Sequence, residues 1–118
     1  MIYIIMKNIT VIGVGRLGLC LALLIEKAGY NVLGIDIFPE YIKALNSKQY
    51  KTNEPELEDL LKKSKNFKAT TDLQEGLNHS DIIFIVVQTP NSGGHKFYDH
   101  SILSNLLEKI NKFKPINK

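Results

Sequence analysis

The chain has 118 residues, 44% of them hydrophobic, which predicts one domain, residues 1–118, whose core needs no disulfide or metal staple. Its one cysteine, Cys20, excludes an internal disulfide and a cysteine-cluster zinc site, and the net charge of +3 comes from dispersed lysines rather than from a basic stripe for nucleic acid. Since no stretch approaches the roughly 18 apolar residues of a membrane span, we expect a cytoplasmic protein with no membrane partner.

The first part of the chain predicts a βαβ unit around a glycine-rich turn. Residues 9–12 are a short apolar run, typical of a strand that is covered on both faces. Residues 16–27 follow as a helix that is apolar over most of its circumference, and Gly29 is placed to end it. Residues 30–35 are the second strand, with Asp36 at its carboxyl end. A right-handed crossover makes the two strands parallel neighbours.

Short helices and strands alternate through the rest of the chain. Proline at the first helical position predicts helices that begin at Pro39 and Pro55. Residues 67–71 form a third strand, and Asp72 caps a helix over residues 73–78. The strand at 81–87 is the most hydrophobic, and a loop and a final helix follow it. This alternation of strands and helices predicts an α/β fold, a three-layer Rossmann-type open parallel sheet of about four strands ordered 3-2-1-4.

A glycine motif, G-x-G-x-x-G, lies between the first strand and the first helix. Gly13 permits the tight turn, Gly15 lets the backbone approach a pyrophosphate, and Gly18 lets the helix pack against the strand. Asp36 is placed to accept hydrogen bonds from both ribose hydroxyls of an adenosine, and its charge would repel the extra phosphate of NADP. The pattern predicts NAD as the cofactor. The alternatives are tight-turn packing for the glycines and a strand-end cap for Asp36.

Three segments resemble the UDP-glucose/GDP-mannose dehydrogenase family. Residues 13–22 (Gly-Val-Gly-Arg-Leu-Gly-Leu-Cys-Leu-Ala) are similar to the opening of these enzymes. Residues 53–61 (Asn-Glu-Pro-Glu-Leu-Glu-Asp-Leu-Leu) resemble the family's Glu-Pro-Gly-Leu helix start, and residues 85–90 (Ile-Val-Val-Gln-Thr-Pro) resemble its Val-x-Thr-Pro strand end. Phe38 and Tyr41 depart from the family's pattern, which commonly has a polar residue at the first position and a lysine at the second.

The resemblance implies cofactor contacts at several positions. Arg16 directly follows Gly15 and is placed to approach a pyrophosphate, although a surface arginine at a helix start is an equal alternative. Thr89 and Pro90 come after the fourth strand, where open parallel sheets place their ligands, unless they only end the strand. The candidate cofactor-binding residues belong to the glycine loop and to the ends of the second and fourth strands: Gly13, Val14, Gly15, Arg16, Leu17, Gly18, Asp36, Thr89 and Pro90. We predict no metal site: the spacing of His95, Asp99 and His100 is compatible with a metal, but no cluster of ligands precedes them, and Asp99 is better explained as a helix cap.

The resemblance implies oxidation of a nucleotide sugar of the UDP-glucose type, from primary alcohol to carboxylate, with two NAD molecules reduced in sequence. The resemblance covers only the front part of a family member, and the family's catalytic lysine, asparagine and cysteine are expected beyond residue 118. We therefore assign no catalytic residue, and leave open whether the chain alone is an enzyme. The nucleotide sugar is expected to bind only together with the missing C-terminal part. The alternatives are a non-catalytic, regulatory nucleotide-binding module and the opening of another NAD-dependent hydroxy-acid dehydrogenase.

The fourth strand predicts one further kind of partner. Residues 82–87 form an apolar run without charge or proline, and a strand of this kind with an unpaired side tends to associate. We expect a homo-oligomer through this exposed sheet edge.

Overall fold

The computed structural model of the chain describes residues 7–86 and 107–109. The chain divides into two compact units, Met1–Val86 and Val87–Lys118. In the second unit, residues 107–109 are helical. The described elements of the first unit are β1 (Asn8–Ile12), α1 (Arg16–Lys27), β2 (Asn31–Ile35), α2 (Pro39–Asn46), α3 (Pro55–Lys63), β3 (Phe67–Thr70), α4 (Leu73–His79) and β4 (Ile83–Ile85). The prediction of a single domain concerns the whole chain and stays a prediction.

The four strands form one parallel sheet in the order β3-β2-β1-β4. The predicted α/β class and strand order are therefore confirmed. β1 pairs with β2 over its whole length, from Asn8 opposite Asn31 to Ile12 opposite Ile35, and with β4 on its other side. The order of the strands reverses at β1, and such a reversal opens a crevice at the carboxyl ends of the strands.

Successive residues of β1 face two different layers of helices, as the pleat of a strand requires. Ile9 and Val11 belong to a buried core that α1, α2 and α3 close with Leu19, Leu23, Leu45, Leu57 and Leu61. Thr10 points to the other side, where its hydroxyl donates to the Gly76 carbonyl of α4 at 2.6 Å. The sheet is thus the middle of three layers, with helices packed on both faces of β1.

Local signals in the sequence set the helix ends. α2 and α3 begin at Pro39 and Pro55, whose missing N–H would have no partner at that position in any case. Asp72 caps α4 by accepting from the N–H groups of Gln74 and Glu75 at 3.0 and 3.4 Å. Gly29 follows α1 with a φ of +109°. The caps predicted at Gly29 and Asp72 are present.

Three of the four strands are shorter than predicted, whereas β1 is one residue longer because Asn8 pairs with Asn31. Of the predicted strand at residues 81–87, the structure describes residues 81–86, and β4 covers Ile83–Ile85 among them. Ladder bonds from the Thr10 N–H to the Ile82 carbonyl and from the Val86 N–H to the Ile12 carbonyl extend its pairing with β1. β2 and β3 are each one residue shorter than predicted. Strand length depends on how far the partner strand extends, which hydrophobicity alone does not reveal.

The outer edge of β3 is occupied by a side chain from α2. The Asn46 amide nitrogen donates to the Ala69 carbonyl at 2.9 Å, and its amide oxygen accepts from the Ala69 N–H at 2.8 Å. A strand edge normally presents such groups for pairing with another chain. One side-chain amide therefore takes the place of a neighbouring strand at Ala69.

Candidate functional site

The glycine turn joins the carboxyl ends of three strands. Gly13 follows β1 with a φ of +92°, a backbone angle that residues other than glycine rarely adopt. Its N–H donates to the Ile35 carbonyl at 2.7 Å, which attaches the turn to the end of β2. A Cβ atom at residue 13 would overlap the Val86 carbonyl oxygen, just beyond β4. The turn therefore sits at the point where the strand order reverses.

Gly18 packs α1 against this turn. A Cβ atom at residue 18 would overlap the Gly13 carbonyl oxygen and would lie 3.4 Å from the Val86 Cβ. Only glycine lets the helix begin so close to the end of the sheet. The close packing predicted for the third glycine of the motif is present.

The N-terminus of α1 is open to an anion. Gly15 is its N-cap residue, and neither a side-chain cap nor an acidic residue occupies the first turn. The first N–H groups of a helix have no partner within the helix, and the helix dipole favours negative charge at this end. Leu17 in the first turn is 66% exposed. Such an end is suited to a phosphate group.

Asp36 stands at the end of β2 beside the glycine turn and is half-buried. Its Oδ2 accepts from the Val14 N–H at 3.1 Å, and its Oδ1 accepts from the Ile37 N–H at 2.8 Å. A carboxylate has about four acceptor positions. The two backbone bonds fix the carboxylate and leave each oxygen able to accept one hydroxyl group, as the two hydroxyls of a ribose require.

Val14 is buried, and its contacts fix the glycine turn to β2 and α2. A Cβ atom at Gly34 of β2 would stand 2.7 Å from the Val14 Cγ1, so the missing side chain of Gly34 provides the space for Val14. The Val14 N–H donates to Asp36, and its carbonyl accepts from the Tyr41 hydroxyl. Val14 contributes to the site by position, because its side chain and both of its backbone polar groups are engaged within the protein.

Tyr41 in α2 is the site residue that sequence reasoning missed, having noted it only as a departure from the family's pattern. Its ring packs edge-on against Tyr50, with 5.2 Å between the ring centres and 84° between the planes. Burial, together with the nearby Tyr50 and Asp36, raises the pKa of Tyr41 above its ordinary range. The phenol therefore keeps its proton and remains a donor. The one feature of the sequence that could have indicated Tyr41 is its position in the first turns of the helix that follows Asp36.

Arg16 and Glu54 connect two of the segments that carry the resemblance. The Arg16 Nε lies 3.7 Å from the Glu54 Oε1, and both side chains are exposed. An exposed ion pair adds little stability. It does bring the start of α3 next to the glycine loop, so the Glu-Pro segment and the glycine motif form one neighbourhood.

The structure says less about the other residues that the sequence analysis singled out. Thr89 and Pro90 lie outside the described residues, as do His95, Asp99 and His100. Cys20 is a half-buried free thiol. Within residues 7–86 and 107–109, no helix is long and apolar enough to cross a membrane, and no group of three or more acidic, histidine or cysteine side chains could hold a metal ion.

Comparison with known proteins decides the family. The model of the NAD binding domain of the UDP-glucose/GDP-mannose dehydrogenase family matches residues 7–117. The chain belongs to this family. Its described sheet and glycine turn are those of the family's NAD-binding domain, and NAD is its cofactor.

The relatives are longer proteins. A UDP-N-acetyl-D-mannosamine dehydrogenase of Pyrococcus horikoshii is 41% identical over 88 residues, which are 73% of this chain and 21% of that protein. A UDP-glucose 6-dehydrogenase of Bacillus subtilis is 39% identical over 94 residues, which are 75% of this chain and 21% of that protein. The chain thus spans about a fifth of the length of these family members.

Solved structures of the family share the fold. A GDP-mannose dehydrogenase from Pseudomonas aeruginosa superimposes with a TM-score of 0.80 at 27% identity, over 89% of this chain and 24% of that one. A UDP-D-ManNAc dehydrogenase from Pyrococcus horikoshii superimposes with a TM-score of 0.76 at 35% identity, over 91% of this chain and 26% of that one.

Proposed function

We propose that the domain holds the adenosine diphosphate half of NAD across the carboxyl ends of β1 and β2. Asp36 accepts the two ribose hydroxyls, and the loop Gly13, Val14, Gly15 with the first turn of α1 (Arg16, Leu17, Gly18) receives the pyrophosphate. The fixed Asp36 carboxylate carries the proposal, since its bonds to the Val14 and Ile37 N–H groups put it beside an uncapped helix N-terminus. Thr89 and Pro90 complete the proposed contacts.

We further propose that the domain serves the oxidation of a UDP-sugar type substrate, from primary alcohol to carboxylate. The names of the relatives support this substrate class. This oxidation removes two hydrides, and two NAD molecules in sequence would supply the acceptors. This domain's residues bind and orient the cofactor, and the sugar binds together with the C-terminal part that family members have. A cytoplasmic location suits the free thiol of Cys20.

Calorimetric titration with NAD and NADP tests the role of Asp36. The wild-type chain should prefer NAD, because the Asp36 carboxylate would repel the 2′-phosphate of NADP. Asp36→Asn should weaken NAD binding about tenfold or more, since hydrogen bonds to a charged group contribute about 1.5 to 3 kcal/mol. In the same variant, the affinities for NAD and NADP should differ less than in the wild-type chain.

Asp72→Asn is the matched control. It makes the same change of charge at an exposed cap of α4, and asparagine also caps helices well. It should leave both affinities unchanged. Equal or tighter binding of NADP by the wild-type chain would overturn the assignment of Asp36.

A further inference from the structure

We propose that Tyr41 is a positioning residue that keeps the glycine loop in its phosphate-binding conformation before the cofactor arrives. The inference rests on the proposed function, because it takes the loop as the pyrophosphate site. The observation behind it is the bond from the Tyr41 hydroxyl to the Val14 carbonyl, between residues 27 positions apart in the chain. This bond connects α2 to the loop that precedes α1.

The bond fixes a peptide group at the mouth of the site. The Val14 carbonyl and the Gly15 N–H belong to one planar unit, and no cis peptide occurs among the described residues. The two groups therefore point in opposite directions. With the carbonyl held at Tyr41, its negative end cannot turn toward an anion at the N-terminus of α1. A rotated peptide would present oxygen rather than hydrogen to a phosphate.

Without this bond the loop has freedom to rotate. Glycine stands on both sides of Val14, and glycine backbones have the widest choice of conformations. Asp36 already holds the peptide that precedes Val14, through the Val14 N–H. Tyr41 holds the peptide that follows it. The two side chains, one from the end of β2 and one from α2, together hold both peptides of Val14.

Tyr41 is itself well fixed. It is half-buried, and its ring lies edge-on against Tyr50. Its hydroxyl keeps its proton because burial disfavours the phenolate. A rigid aromatic side chain loses little conformational entropy when it donates a hydrogen bond. The position of the donor is therefore built into the packing of α2 rather than induced by the ligand.

Calorimetry or NMR titration of Tyr41→Phe with ADP and with adenosine tests the proposal. Phenylalanine keeps the ring packing and removes only the hydroxyl. ADP binding should weaken about fivefold to tenfold, as expected for one lost hydrogen bond. Adenosine has no pyrophosphate, and its binding should change by less than about twofold. Tyr50→Phe removes a hydroxyl from the other ring of the pair and should leave both ligands unaffected.

The outcomes separate the possibilities. An equal loss of ADP and adenosine binding would make Tyr41 a general structural residue and overturn the proposal, and so would unchanged ADP binding. Failure of the wild-type chain to bind NAD or ADP would instead refute the proposed function. In that case hydrogen exchange of the Val14 amide, whose N–H donates to Asp36, still tests whether Tyr41 holds the loop. Exchange should be faster in Tyr41→Phe than in Tyr50→Phe, and equal rates would overturn the inference.

Discussion

Gly13 and Gly18 show how a residue without a side chain shapes the site. A Cβ atom at either position would overlap backbone, at the Val86 carbonyl oxygen for the first and the Gly13 carbonyl oxygen for the second. Backbone cannot move aside as a flexible side chain can. The start of α1 and the ends of β1 and β4 are therefore held at distances that only glycine permits.

The Gly18→Ala variant should lose about 2 to 3 kcal/mol of unfolding free energy, because overpacking against backbone costs this much. Gly29→Ala is the comparison. Its added methyl group would meet nothing within 4 Å, but residue 29 has a positive φ, so the expected cost is about 1 to 2 kcal/mol of strain. Urea unfolding of both variants measures the difference. A Gly18→Ala chain as stable as Gly29→Ala would contradict the close packing.

Single residues of the site differ in how far sequence could reveal them. The glycines and Asp36 follow from local spacing, because the turn and the strand end lie at fixed offsets along the chain. The contact of Tyr41 with Val14 depends on how α2 is rotated over the sheet, and no local pattern encodes that rotation. The fit of Val14 against Gly34 likewise depends on the register of β1 and β2.

At the scale of elements, helices were easier to predict than strands. α1 has the predicted bounds, and α2 and α3 begin at the predicted prolines, because prolines and caps act within one turn of the helix. β4 ends at Ile85, which lies opposite Ile12, the last residue of β1, although the apolar run continues. The pairing of Asn46 with the edge of β3 could not be predicted, since polar residues at helix ends are common.

Asn46→Asp tests the protection of the β3 edge. Aspartate keeps an acceptor for the Ala69 N–H but replaces the donor to the Ala69 carbonyl with a second oxygen. The unfolding free energy should fall by about 1 to 3 kcal/mol, the cost of leaving a polar group unpaired. Asn53→Asp makes the same change in an exposed loop and should cost little. Urea unfolding at neutral pH compares the two, and equal stabilities would contradict the role of Asn46.

At the scale of the whole molecule, the two edges of the described sheet differ. The β3 edge is occupied at Ala69 by Asn46. Among residues 7–86, no strand pairs with the outer edge of β4. β4 also carries Phe84, which is 42% exposed. An apolar strand with a free edge invites pairing with another chain.

We therefore expect the chain to self-associate through β4, unless another segment or protein covers it. Light scattering over a dilution series should show a mass that rises with concentration, and hydrogen exchange of the Ile83 and Ile85 amides, which point away from β1, should slow in parallel. Phe84→Lys should weaken association, because charge blocks strand edges. Leu24→Lys adds the same charge on an exposed part of α1 and should not. A strict monomer at high concentration with freely exchanging edge amides would contradict the expectation.

Val14 belongs at once to the interior and to the mouth of the site, since its side chain packs at Gly34 while its backbone holds Asp36 and Tyr41. A ligand bound at this loop would therefore need the folded sheet behind it and would not bind the unfolded chain. The binding free energy of such a ligand adds to the free energy of unfolding, so the melting temperature depends on the ligand concentration. We therefore expect NAD to raise the melting temperature of the domain, and to raise it further as the NAD concentration increases.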